Sequence, residues 1–174
     1  MDNLILVKPS EEYIDEISDF RQELIHHNSP FDGCGGLQDY EDISEWITLC
    51  RLTEKEETKP NPDWVEAETF MLMEEGNGRI LGMINFRHYL NDYLAERGGH
   101  IGYAIRPTER RKGYAKAMLS LCLSECKKFG LSSVLLTCDP ANEGSYRTIE
   151  ACGGQFERMA ELDGKNFFRY WITF

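Results

Sequence analysis

The stretch His100-Ile-Gly-Tyr-Ala-Ile-Arg-Pro-Thr-Glu-Arg-Arg-Lys-Gly-Tyr-Ala115 decides how this chain is read. A strand from His100 to Arg106 ends at Pro107 and feeds a short turn. The turn opens a helix from about Gly113 to Phe129, with Ala115, Met118, Leu119, Cys122 and Cys126 on its apolar face and Gly130 as its C-terminal cap. The first N–H groups of a helix lack intrahelical partners and sit at the positive end of its dipole, so such ends bind phosphate. Gly113 removes a side chain where an anion would approach the backbone, Ala115 keeps the first turn narrow, and Arg110, Arg111 and Lys112 add charge. A basic turn that merely starts a surface helix fits the same local pattern. Neither Gly-x-x-x-x-Gly-Lys-Ser/Thr nor Gly-x-Gly-x-x-Gly is present.

Upstream, Leu4 to Val7 reads as a short apolar strand. A helical pattern begins at Ser10, with Tyr13, Ile14, Ile17, Phe20, Leu24 and Ile25 at three- and four-residue spacing. Pro30 and the glycines 33, 35 and 36 break it, and composition predicts a flexible loop there. A second helix carries Tyr40, Ile43, Trp46, Ile47 and Cys50 on one stripe, and an acidic loop runs from Glu54 to Asp63. Thr69 to Met73 and Arg79 to His88 are strand-like around the turn signal Gly76-Asn77-Gly78, and Asn91 to Gly99 is a connection.

Downstream, Ser133 to Cys138 is a continuous apolar strand, as in a buried parallel pair. Asn142 caps a short helix to about Cys152, and strands follow near Gln155 to Met159 and Phe167 to Phe174. The order is β-α-α-β-β-β-α-β-α-β-β. The expectation is one α/β domain over residues 1–174, a central mixed sheet with helices on both faces.

Composition narrows the function. The 174 residues are 41% hydrophobic and 28% charged, ordinary for a globular domain. A net charge of −11 disfavours nucleic acid as a partner, while the local cluster of basic residues suits a small polyanion. No apolar run is long enough to span a membrane, and the start Met1-Asp2-Asn3-Leu4 lacks a basic secretory leader, so the expected location is the cytoplasm. The six cysteines form no Cys-x-x-Cys pair, which predicts reduced thiols and no metal site.

Arg110-Arg111-Lys112-Gly113-Tyr114-Ala115 resembles the Gln/Arg-x-x-Gly-x-Gly/Ala signature of the GNAT N-acetyltransferase superfamily, in the same place between strand and helix. Asn142-Glu143-Gly144-Ser145 resembles that superfamily's second CoA-contacting segment. The stretch from Gly98 to Pro107 and the ending Arg169-Tyr-Trp-Ile look like a bacterial subgroup of predicted acetyltransferases. The resemblance implies acetyl-CoA as cosubstrate, without a metal, and transfer to a primary amine of a small molecule or peptide by direct attack through a tetrahedral intermediate. It implies a cofactor site made of Ala104, Ile105 and Arg106, the turn from Arg110 to Ala115, and Asn142 with Ser145. The protein would work as a monomer or homodimer.

The chemistry asks for an oxyanion donor, a base and, optionally, an acid. The resemblance points to the Ile105 N–H as donor. The tyrosine that many relatives carry seven residues after the asparagine is Ile149 here, and Tyr146, one turn from Asn142, is the candidate substitute acid. Packing explains Tyr146 equally, and a free thiolate can leave unaided. His100 is the candidate base, or else a structural histidine bonded to a neighbouring loop. Arg87, His88 and Phe31 are candidate acceptor-binding residues, with plain surface placement as the alternative for the first two. A non-catalytic CoA-binding sensor on the same fold and a nucleotide-phosphate binder are the competing functions.

Overall fold

The computed structural model describes residues 3–174. Strands β1 (Leu4–Val7), β2 (Ala67–Glu74), β3 (Ile80–Arg87) and β4 (Ile101–Ile105) form one sheet in sequence order. Strands β5 (Ser133–Cys138), β6 (Gln155–Leu162) and β7 (Lys165–Thr173) form a second, in the order β5-β7-β6. Helices α1 (Ile14–His26) and α2 (Ile43–Leu52) cover one face. Helices α4 (Tyr114–Phe129) and α5 (Glu143–Ala151) pack on the other. No helix among the described residues is long and apolar enough to cross a membrane.

The alternation of side chains along a strand builds two cores at once. Phe70 and Leu72 of β2 join Met118, Leu119, Cys122 and Ile149 beneath α4 and α5. Met71 and Met73 join Ile17, Phe20, Trp46 and Ile47 beneath α1 and α2. A sheet covered on both faces accounts for the almost uninterrupted apolar run of β3.

The element order and the α/β class stand as expected, with three differences. The connection from Asn91 to Gly99 contains a five-residue helix, α3 (Asp92–Glu96), started by Asn91 Oδ1 accepting the Leu94 N–H at 2.9 Å. One turn and a half is too short to show a period. The C-terminal strands are longer than expected, because Asp163 and Gly164, both left-handed, close a two-residue hairpin turn.

The third difference concerns the sheet. All five ladders among the described residues are antiparallel, and the expected parallel pair, β4 with β5, has no ladder. These strands meet at one bridge, Gly99 with Leu136. Beside it the His100 N–H donates to the Leu135 carbonyl at 2.8 Å. The Leu135 N–H donates to His100 Nδ1 at 2.9 Å, so an imidazole stands where a ladder would put a backbone carbonyl. The mixed sheet is thus two antiparallel sheets touching at one point.

The glycine-rich loop after α1 is anchored to the core. Trp46 Nε1 donates to the carbonyls of Cys34 and Gly35, both at 3.1 Å, and Cys34 is fully buried. Gly33, at φ 70°, lies flat on β4, where any Cβ would collide with the Gly102 carbonyl. Gly36, at φ 79°, has open space around it. Gly33→Ala is therefore expected to destabilise the protein by at least about 1–2 kcal/mol more than Gly36→Ala, since both carry the left-handed strain and only the first adds a backbone clash. Urea midpoints of the two variants measure the difference; equal midpoints would contradict the close approach of this loop to β4.

Candidate active site

β4 carries the first half of the site in its backbone. In its ladder with β3, the Arg87 N–H donates to the His100 carbonyl and the Arg106 N–H to the Leu81 carbonyl. Alternate residues of an antiparallel strand face the partner, so Gly102, Ala104 and Arg106, together with the His100 carbonyl, turn their backbone groups toward β3. Ile101, Tyr103 and Ile105 turn theirs toward the open edge, where β5 forms no ladder. At the end of this edge the Ile105 carbonyl accepts from Arg110 Nε at 3.2 Å.

The second half is the start of α4. Its N-cap, Gly113, is left-handed at φ 86° and has no side chain with which to cap. The first intrahelical bond runs from the Ala117 N–H to the Gly113 carbonyl, leaving the N–H groups of Tyr114, Ala115 and Lys116 without helical partners. Among the five described α-helices, α4 alone has neither a capping side chain nor an acidic residue in its first turn. Ahead of it, Lys112 pairs with Glu109 at 2.8 Å, and Arg110 is tied to Ile105 and Ser29. Arg111, exposed and left-handed at φ 65°, has no partner among the described residues. An uncapped helix start with one free guanidinium is a ready anion site.

On the α1–α2 face lies a cavity of about 700 Å³. Asn85, the register partner of Gly102, and Arg87 line its inner wall; Tyr40, Trp64 and Tyr93 supply aromatic walls. The order is therefore an anion site, an unpaired strand edge and a cavity beyond it.

The family model described as Acetyltransferase (GNAT) family matches residues 40–153, a span that contains the helix start, the strand edge and most of the cavity lining. The chain belongs to the GNAT acetyltransferase family. It is 30% identical over 88 residues to the uncharacterized N-acetyltransferase YnaD of Bacillus subtilis (strain 168), a match covering 50% of this chain and 49% of that protein. The chain thus spans about half the length of this curated relative. Mycobacterium smegmatis RimJ, solved in complex with CoA-disulfide, superposes with a TM-score of 0.71 at 19% identity, covering 98% of this chain and 81% of that one. The microcin C7 self-immunity acetyltransferase MccE, solved with acetyl-CoA and AMP, gives a TM-score of 0.71 at 18% identity over 100% of this chain and 94% of that one. At these identities the two structures show a shared fold.

Within this GNAT fold the sequence candidates separate. Ile105, Arg111, Gly113, Tyr114 and Ala115 sit at the strand edge and helix start. Ala104 points its backbone at Met83 and its side chain into the α1–α2 core. Arg106 is buried on the same side, with Nε on the Ile80 carbonyl at 2.6 Å and its other nitrogens on Glu16 and Glu23. Its charge is thereby neutralised within the fold rather than presented to a phosphate. Asn142 Oδ1 accepts the Ser145 N–H at 3.1 Å and so caps α5. Arg87 lines the cavity, whereas its strand neighbour His88 faces the other way, stacked on Phe129 at 4.3 Å and bonded to Glu68 at 3.1 Å. Phe31 packs against the α1–α2 core outside the cavity lining. The Tyr146 ring packs on Phe168 at 5.8 Å. Ile149 is buried in the core.

Sequence reasoning passed over Tyr103. Its phenol lies 3.0 Å from Ser145 Oγ and also reaches the Ser145 carbonyl at 3.3 Å, joining β4 to the start of α5. Burial pushes its pKa upward, which keeps the proton on it. Only the register of β4 with β3, which residue type does not reveal, sets it apart from its strand neighbours.

His100 is the candidate that the geometry constrains most. Because Nδ1 accepts from Leu135, the ring proton belongs on Nε2. Burial, and then the Arg87 charge, pull its pKa down from 6.5 to about 4. A folded-state pKa below the unfolded one contributes stability that is complete above pH 6.5 and is lost as pH falls through about 4. The denaturant midpoint is expected to fall over that window, and His100→Gln, which cannot titrate, to flatten the fall. An unchanged acid limb in His100→Gln would show that the imidazole does not sense folding.

Proposed function

We propose that this protein is an acetyl-CoA-dependent N-acetyltransferase, working as a single domain over residues 1–174 in the cytoplasm and transferring acetyl to a primary amine. One observation carries the reading: the uncapped N-terminus of α4 stands at the end of a strand whose outer backbone edge is unpaired. The residues fit the cosubstrate. Pyrophosphate suits the N–H groups of Tyr114, Ala115 and Lys116, with Arg111 as counter-charge. The amide-bearing arm of CoA suits the outer N–H and C=O groups of Tyr103 and the Ile105 N–H, as an added strand would. The solved GNAT structures that hold acetyl-CoA or a CoA disulfide support the same fit.

The acetyl thioester supplies the electrophile, and the protein supplies placement and proton management. The Ile105 N–H, facing the open edge, is the donor to the thioester oxygen as charge develops there. The amine arrives from the cavity on the opposite face. Tyr103, with its proton retained and its hydroxyl on Ser145, is the acid for the departing thiolate. His100, neutral at physiological pH with a pKa of about 4, is too weak a base to draw a proton from an alkylammonium, so the amine loses that proton to solvent. His100 acts by holding β4 and β5 at their single contact.

Three variants test these roles. Arg111→Glu is expected to raise the Michaelis constant for acetyl-CoA by about threefold or more, an effect that shrinks with added salt. Tyr103→Phe is expected to lower kcat by about 100-fold, the low end for general acid catalysis, with a much smaller change in that Michaelis constant. Tyr146→Phe should change kcat by less than about threefold, too little for an acid. If the last two are reversed, Tyr146 is the acid and Tyr103 a packing residue. No heat on calorimetric titration with acetyl-CoA would remove the assignment itself.

A further inference from the structure

Resting on the acetyltransferase reading, we infer that the acceptor amine also carries a carboxylate, held by Arg87 inside the cavity. Arg51, Arg79, Arg106, Arg147, Arg158 and Arg169 each pair with a protein carboxylate. Arg21, Arg87, Arg97, Arg110 and Arg111 do not, among the described residues, and of these Arg87 alone lines the cavity. Its Nη1 donates to the carbonyls of Gly98 at 3.0 Å and Gly99 at 3.2 Å, which fixes the guanidinium in place. Nη2 and Nε have no protein acceptor among the described residues. Nη2 lies 3.2 Å from where a Cβ on Gly102 would be, so the fork rests on β4 beside the register partner of the cavity-lining Asn85. Asp32 attracts it only at longer range.

The rest of the lining supplies no anion at that depth. Asp39 is the one carboxylate residue among those lining the cavity, and it is exposed at the surface. The Asn85 amide already donates to Thr69 Oγ1 at 3.1 Å, and Asn91 caps α3. Arg87 is half-buried at the cavity wall with donors unused by the protein, and a ligand that brings a carboxylate there gains a charge-assisted pair. A single pre-oriented fork matches the two oxygens of a carboxylate. A phosphate would call for further cations, and the lining residues offer none. The cavity volume accommodates an amino-acid-sized molecule with an extended side chain. The aromatic walls would receive its apolar part.

The experiment is CoA release from acetyl-CoA across matched pairs: lysine and cadaverine, histidine and histamine, tyrosine and tyramine, alanine and ethylamine. The best acceptor is expected among the amino acids, with kcat/KM at least about tenfold above its decarboxylated partner, the effect of one charge-assisted contact. In Arg87→Gln that preference should collapse toward unity, and Arg87→Lys should keep part of it. Thermal melting and the Michaelis constant for acetyl-CoA report whether each variant keeps its fold. Because Arg87 also holds the Gly98–Gly99 turn, the wild-type comparison decides on its own if the variants unfold. The proposal is overturned if decarboxylated amines are the better acceptors, if no carboxylate-bearing amine is acetylated, or if folded Arg87→Gln keeps the wild-type preference. Calorimetry with acetyl-CoA separates the two levels: binding with the wrong acceptor preference defeats this proposal alone, whereas no binding defeats the acetyltransferase reading and this proposal with it.

Discussion

The site depends on two strands that touch without pairing. β4 and β5 are neighbours through the crossover helix α4, and their continuous apolar sequences suit a ladder. The Leu135 N–H is instead taken by the His100 imidazole, and contact stops at Gly99 and Leu136. Backbone N–H and C=O groups removed from water need partners, at a cost on the order of 1–3 kcal/mol each when they have none. The outer groups of Tyr103 and the Ile105 N–H are therefore held in register by β3 yet left for something other than protein, while Arg110 takes the Ile105 carbonyl. A cosubstrate arm with alternating amides meets that requirement. The same arrangement gives Ile105 an N–H free to act on a reacting carbonyl.

Electrostatics sorts the basic residues around this edge. Of the four cations from Arg106 to Lys112, one is buried against Glu16 and Glu23, one is paired with Glu109, and one caps the Ile105 carbonyl. Of these four, Arg111 alone has neither an ion pair nor a side-chain hydrogen bond among the described residues. The buried Arg106 cluster fastens α1 to the end of β4, and Arg87 fastens the Gly98–Gly99 turn at its start. Removing one member of a buried pair leaves an uncompensated charge, so this scaffold is sensitive to single substitutions well away from any ligand.

Much of this was legible in the sequence where local pattern and tertiary role agree. The strand-turn-helix from His100 to Phe129 is marked by Pro107, Gly113 and the apolar stripe, and the structure has it within a residue or so. Which side of β4 is open was not legible, because backbone orientation depends on register with β3 and leaves no trace in residue type. The same register distinguishes Tyr103 from Ala104. The fate of a charged side chain was equally hidden: Arg106 and Arg111 look alike in sequence, and only the acidic residues of α1, more than eighty positions away, tell them apart. Loop composition misled for a similar reason, since Trp46 lies outside the loop that it anchors.

The central claim is that the cosubstrate takes the open edge of β4 and the start of α4 together. A backbone-amide NMR titration with acetyl-CoA addresses it directly. The largest shifts are expected on the amides of Tyr103, Ile105, Tyr114, Ala115 and Lys116. The amides of Gly102, Ala104 and Arg106, which face β3, should move much less. Shifts of equal size on both sets of β4 amides, or changes confined to regions remote from β4 and α4, would contradict it.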